Sequence, residues 1–370
     1  MEIINETPKI KVNKQDSTSL QNGEGGEVPI FIGATGKETP NTDIFEFKNY
    51  NEASSETQGI GLPANNYMLP VIQDFFDETL KLVSDDLGVP HIYVKDLGNT
   101  DASTPSSWIN AKKDSRKKLD IQVEAYIFKS TDPLDKIVDI LVTIAESLKD
   151  DTLKGKPRIA YATVQGWTDA QMKTLTQGTD QITKKIRDID IGLIEWTKFG
   201  KHLARICLTP YYDEPGYYQF RSIQEGEFVE RTDAEEEDMQ LKGIIFGHDE
   251  KPGKTAFPKI NLAVSSDYAN AEDDRSPLCL IHTNRNINQL IRDAMEVVYP
   301  QLKRRETETF IEEVQADLDE LCSEKIRLGY MKEGTRVTAV EYKDSPAQLK
   351  LKVKATPVNI TGIIELEVIV

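Results

Sequence analysis

Apolar residues recur along this chain in two rhythms, one helical and one strand-like. Between Pro63 and Leu87 the residues Tyr67, Val71, Ile72, Phe75, Phe76, Leu80, Val83 and Leu87 fall mostly at helical spacing. Pro70 starts or kinks that helix and Gly88 ends it. Strands are predicted at Pro29 to Ile32, Val89 to Val94, Ile121 to Phe128, Arg158 to Val164 and around Ile189 in IDIGLIEW. Between the third and fourth of these, Asp132-Pro133 opens a helix with proline at its first position, and Leu134, Ile137, Val138, Leu141, Ala145 and Leu148 form its apolar stripe. Trp167-Thr168-Asp169 leads into another helix. Strands alternating with helices predict a mainly parallel, covered sheet.

Beyond residue 215 the pattern changes. Residues 216–278 hold an acidic run, Asp233 to Asp238, and the loop-like GHDEKPGKTAFP, and read as an irregular β-rich insertion. Residues 279–370 are more regular. A short strand is expected at Leu278 to Ile281 and a helix at Asn288 to Leu302, with Leu290, Ile291, Ala294 and Val298 inward. A second helix is capped by Thr309 with Glu312 three residues on, buries Phe310, Ile311, Val314, Leu318, Leu321 and Cys322, and stops at Gly329. Leu349 to Lys354 alternates strictly. The fold class is therefore α/β to α+β: a mixed sheet covered by helices, an irregular insertion, and strand-bearing arms at both ends.

Those arms are the most informative feature. Lys9, Ile10, Lys11 and Val12 alternate in the strand period, and the polar stretch Gln15 to Glu27 follows as a linker, so residues 1–27 read as an arm on a body spanning 28–215. A terminus without fixed structure and a chance alternation is the other reading. The chain closes on Ile363, Ile364, Leu366, Val368 and Val370, interleaved with Glu365 and Glu367. Such a strand on an open edge would aggregate, so it must pair. It pairs either within its own domain, against Leu349, Leu351 and Val353, or in another subunit's sheet.

Charge and chemistry narrow the function. A net charge of -17 disfavours a general nucleic-acid binder. No apolar run approaches the ~20 residues of a membrane span, and MEIINETPKIKVNKQD has no apolar core of a secretory signal. Cys207, Cys279 and Cys322 are far apart, lack zinc spacing and suggest a reducing compartment of synthesis. VPIFIGATGKETP resembles a phosphate loop at a glance, but the first glycine would fall at Phe31 and the magnesium-binding hydroxyl is replaced by Glu38. His91, His202, His248 and His282 lack metalloprotease spacing, there is no GxSxG elbow, and adjacent pairs such as Asp150-Asp151 make poor acid/base dyads. No catalytic residue, metal or cofactor is implied.

Three stretches carry a family resemblance. VPIFIGATGKETP resembles the opening strand and turn of contractile tail sheath proteins of myophages and phage-tail-like particles. KFGKHLARICLTPYYDEPGYY lies where such a body gives way to a variable segment, and two helices followed by EYKDSPAQLKLKVKATPVNITGIIELEVIV resemble the end of a sheath subunit. The resemblance implies a structural, non-enzymatic subunit that polymerises with itself into stacked rings around an inner tail tube protein. The subunits would exchange terminal strands and contract to drive the tube through a cell envelope. It implies baseplate and tail terminator proteins as further partners, no direct nucleic acid, no membrane insertion, and a place in a virion tail or tail-like particle assembled in the host cytoplasm. Within that reading Lys303, Arg304 and Arg305 are a candidate tube contact, or a solvated charge run between helices. An α/β enzyme of unrecognised type and a tube or baseplate component are the alternatives.

Overall fold

The computed structural model describes residues 26–34, 43–55, 67–82, 91–118, 120–176, 191–212, 215, 220, 222–223, 227–251, 254–256, 281–301, 309–342, 349–356 and 364–369. A seven-stranded sheet forms the centre of the body. Its strands are β1 (Val28–Gly33), β2 (Ile44–Phe47), β3 (Ile92–Asp96), β4 (Ile121–Phe128), β5 (Ile159–Val164), β6 (Ile191–Ile194) and β7 (Ile244–Ile245), in the spatial order β2-β3-β1-β4-β5-β6-β7. All neighbours run parallel except β2, which lies antiparallel on β3 at one edge.

Because successive strand residues point to opposite faces, each strand feeds two cores. On one face Phe31, Val94, Ala125, Tyr161 and Ile194 pack against α2 (Met68–Leu82) and α6 (Phe199–Leu208). On the other, Ile30, Ile32, Tyr126, Phe128, Ala162 and Leu193 meet α3 (Pro105–Ser115), α4 (Leu134–Leu153) and α5 (Asp169–Thr176). A short helix α1 (Tyr50–Ser54) follows β2. The β1–β4 register shifts between Val28 and Pro29, and Gln122 Oε1 accepts the Val28 N–H there at 2.7 Å.

The expected stripe of α4 is buried apart from Leu134, which packs against it half-buried, and Ile140 and Ile144 join it. Pro133 is the N-cap rather than the first helical residue. The segment read as an insertion also feeds the body. Its acidic run forms α7 (Asp233–Leu241), whose Met239 enters the core, and β7 lengthens the sheet. Thr232 and Glu235 form a capping box, with the Thr232 N–H donating to Glu235 Oε2 at 2.9 Å and the Glu235 N–H to Thr232 Oγ1 at 3.4 Å. A small hairpin, β8 (His248–Lys251) and β9 (Lys254–Ala256), follows.

The glycine-rich turn after β1 begins at the point where the strand order reverses, between β1 and β4. Ligands of open α/β sheets bind at the strand C-termini beside such a point. Here the Tyr67 hydroxyl bridges the two strands: it accepts the Ala34 N–H at 3.0 Å and reaches the Ile127 carbonyl at 3.5 Å. Burial pushes its phenol well up. Residues 35–42 lie outside the described residues.

Candidate strand-exchange site

The C-terminal unit combines two helices with a three-stranded antiparallel sheet. The helices are α8 (Ile281–Val298) and α9 (Phe310–Arg327), and the strands are β10 (Arg336–Tyr342), β11 (Leu349–Ala355) and β12 (Ile364–Ile369), with β11 central. Helix α8 starts seven residues before the expected Asn288, so Ile281 opens a helix rather than ending a strand. Thr309 is the N-cap of α9, but its hydroxyl bonds Glu313 Oε1 at 2.7 Å instead of closing a box with Glu312. Gly329, at φ 77, ends α9: its N–H donates to Ile326 and the Tyr330 N–H to Lys325, the paired bonds of a Schellman turn.

The alternation of β11 does what its sequence demands. Leu349, Leu351, Val353 and Ala355 are buried with Ile291, Val298, Val314 and Leu318, while Lys350, Lys352 and Lys354 face outward and half-buried. The antiparallel register places Ile364, Leu366 and Val368 opposite Ala355, Val353 and Leu351, and Glu365 and Glu367 opposite Lys354 and Lys352. Apolar positions thus match apolar and acidic match basic at every rung from 352 to 355. The far strand, β10, is less regular. Its register slips between Val337 and Ala339, and Asp319 of α9 takes the Val337 N–H at 3.3 Å.

Six residues singled out by sequence therefore come together in this sheet: Leu349, Leu351, Val353, Ile364, Leu366 and Val368. Their pairing joins β12 to β11 of the same chain, and β12 also runs close to α4. Lys9, Ile10, Lys11, Val12, Ile363, Val370, Lys303, Arg304 and Arg305 lie outside the described residues. Strand β10 itself escaped the sequence reading, because the slip breaks its alternation.

The unit is riveted to the body through α8. Glu27, at the root of β1, is buried and meets Arg285 Nε at 2.7 Å and an Arg292 terminal nitrogen at 3.3 Å. Arg285 also donates to the Thr209 carbonyl at 2.5 Å, and Arg292 to the Pro157 carbonyl at 3.2 Å. The Glu27 N–H donates to the Cys207 carbonyl at 2.7 Å. Gly155 lets Met295 approach so closely that a Cβ there would lie 2.4 Å from its sulfur. Tyr212 stacks on Tyr330 at 4.3 Å, and the Lys325 ammonium pairs with Asp293 and lies over the Tyr211 and Tyr330 rings. The paired tyrosines thus pack a junction.

Other titratable groups serve the body. Lys112 and Arg158 hold buried Glu124 at 2.7 and 3.0 Å, and Lys112 reaches Asp151 at 3.0 Å. Burial would raise the Glu124 carboxyl, but Lys112 and Arg158 bring it below its ordinary value. His91 pairs with Asp120 at 3.1 Å. Cys207 is buried, and burial pushes its thiol far above the ordinary range. Among the described residues no His, Cys, Asp and Glu group could hold a metal ion, and no helix is long and apolar enough to cross a membrane.

No family sequence model and no curated protein sequence matches the chain. Solved structures do. The helical sheath of the anti-feeding prophage in its contracted state superposes with a TM-score of 0.62 over 92% of this chain and 92% of that one, at 12% identity. The chain has the contractile tail sheath fold. The sheath tail proteins of Desulfitobacterium hafniense and Listeria innocua repeat the match, each with a TM-score of 0.61, at 9% and 8% identity. These cover 94% and 95% of this chain and 97% of each of the others. The sheath fold thus spans the large sheet and the C-terminal unit together, well beyond the stretches whose residues carry the resemblance.

Proposed function

We propose that the chain is the structural subunit of a contractile tail sheath, polymerising with itself around an inner tail tube and contracting to drive that tube through a cell envelope. The observation that carries this reading is the sheath fold over nearly the whole chain, together with a terminal strand that is the outermost strand of its sheet. β12 hydrogen-bonds to β11 along six residue pairs. At about 0.5–1.5 kcal/mol net per bond, such an edge contributes a few kcal/mol. The same strand from a second copy makes the same bonds on the same β11, so exchanging partners costs little beyond association. Residues 356–363 connect the two strands and can span about 26–29 Å when extended, far more than a tight hairpin needs.

In this reading residues 1–27 form a second arm whose Lys9 to Val12 strand adds to a neighbour. Residues 28–215 form the body, 216–278 a variable segment, and 279–370 the polymerising unit. Lys303, Arg304 and Arg305 meet an acidic tube surface. Baseplate and tail terminator proteins close the two ends, in a virion tail or tail-like particle assembled in the host cytoplasm. Tyr67, whose hydroxyl ties Ala34 to Ile127 at the strand ends where an α/β enzyme would take its ligand, favours a scaffold over an enzyme.

Negative-stain electron microscopy of the intact chain beside a chain ending at Gly362 tests the proposal. Long hollow tubes from the intact chain and only monomers from the shortened one are expected. Identical small particles from both would mean that β12 merely closes its own sheet, and would end the strand-exchange reading.

A further inference from the structure

The root of the N-terminal segment is held by an unusual set of contacts. Glu27 stands one residue before the first strand of the large sheet, yet among the described residues its carboxylate bonds to Arg285 and Arg292 of α8, 258 and 265 residues away in sequence. Its backbone N–H goes to Cys207 at the end of α6, and a Cβ at Gly26 would lie 2.9 Å from that same carbonyl oxygen. Arg285, almost wholly buried, spans both partners by donating to Glu27 and to Thr209. The same α8 lays Ile291, Ala294, Met295 and Val298 under β11 and its neighbours.

We infer that Glu27 is an anchor that ties the root of β1 to α8, so that a load arriving at Glu27 from the N-terminal side passes to the helix that carries the C-terminal sheet. Each contact follows from elementary electrostatics. A buried carboxylate flanked by two guanidinium groups is stabilised by charge-assisted bonds, and removing it leaves two cations in a low-dielectric junction. A pull on Glu27 from its N-terminal side therefore meets α8 before it meets the hydrogen bonds of β1. Glu27 touches no second copy in this account. It is a positioning residue whose effect reaches the assembly through α8, and its role there rests on the proposed sheath function.

The test compares wild type, E27Q and R292Q, the last retaining the Glu27–Arg285 pair. Hydrogen exchange on the unassembled chain reads the coupling directly. With E27Q, exchange should rise at least tenfold in two places together, the peptide around 26–29 and the peptide around 285–292, while β4 and β5 keep their wild-type rates. R292Q should give a smaller rise at the same two sites. Tubes of E27Q should be shorter than wild type and break under shear at lower force. A general destabilisation would raise exchange everywhere and would overturn the anchor, as would wild-type rates at 285–292 in E27Q or tubes of wild-type length and strength. If the wild type itself forms no tubes, the sheath function fails, and the exchange pattern still decides whether Glu27 couples the root of β1 to α8.

Discussion

Glu195 Oε1 lies 3.6 Å from His202 Nε2, both out of contact with solvent, and burial drives their proton affinities in opposite directions. Glu195 follows β6, and its carboxylate also receives the Gly247 N–H at 2.7 Å and Arg231 at 2.6 Å, which in turn grips Asp169. Burial pushes Glu195 up from 4.5 to about 7, against the pull of Arg231 and Gly247. Burial pushes His202 down from 6.5 to about 3. The carboxyl keeps its proton longer when folded, so its contribution falls as pH rises from 4.5 through about 7. The imidazole refuses a proton when folded, so its contribution is lost as pH falls from 6.5 through about 3. Between 4.5 and 6.5 the two slopes oppose one another, and below 4.5 only that of His202 remains, at about 1.4 kcal/mol per pH unit. Urea midpoints measured from pH 3 to 8 should rise with pH in E195Q up to about 6.5 and fall with pH in H202Q between about 4.5 and 7. Parallel curves for wild type and both variants would refute the two opposed burial shifts.

Two glycines should respond differently to alanine. At Gly200, where α6 crosses α2, a Cβ would lie 2.0 Å from the Val71 carbonyl oxygen. G200A must force the helices apart, at the upper end of the ~1–3 kcal/mol of overpacking or beyond it. At Gly329 nothing lies within 4 Å of a Cβ, but φ is 77. G329A should lose only about 1–2 kcal/mol of backbone preference. Chemical denaturation of the two variants ranks them, and a larger loss at Gly329 would contradict the close approach at Gly200.

Leu351 is buried in the middle of β11, whereas its neighbour Lys352 is partly exposed. L351A should cost about 2–5 kcal/mol, by lost burial and the cavity left behind. K352A should change stability by about 0.5 kcal/mol or less, since its ion pair is long and solvent-screened. Thermal unfolding of the chain separates the two cases, and equal effects would argue against the observed facing of β11.

Lys112 is the only ammonium between buried Glu124 and Asp151 among the described residues. K112M should destabilise the body by about 3–5 kcal/mol, because the carboxylates stay buried while one counter-charge leaves. A denaturant midpoint close to wild type would mean that Arg158 and Arg116 suffice for both carboxylates.

How much of this was legible in the sequence depended on how local the cause was. β4, α4 and β11 follow from period alone, and the structure sets β4 at the same residues. The start of α8 was missed because His282, Thr283, Arg285 and Asn286 are polar though buried, and the partners of Arg285 and Asn286, namely Glu27, Thr209 and Tyr330, come from distant elements. β7 is two residues long and carries no period. The acidic run read as surface became a helix through Thr232, three residues ahead of Glu235, a cap visible in hindsight. Glu27 sat at the end of a polar, glycine-rich stretch, and nothing local marks it as buried. Within the candidate site, alternation gave the inward and outward positions of β11 and the closing strand, but the slip in β10 concealed the third member of the sheet.

The span of the Glu27–Arg285 bond also orders events at the ribosome. Glu27 emerges early, with Val28 ready to start the first strand, but its arginine partners are translated only after the whole large sheet. The large sheet has all its strands before α8 exists, so the helix that locks Glu27 reaches a sheet whose strands are already translated. A newly made chain thus has Glu27 fixed in place only after every strand of the large sheet has been translated.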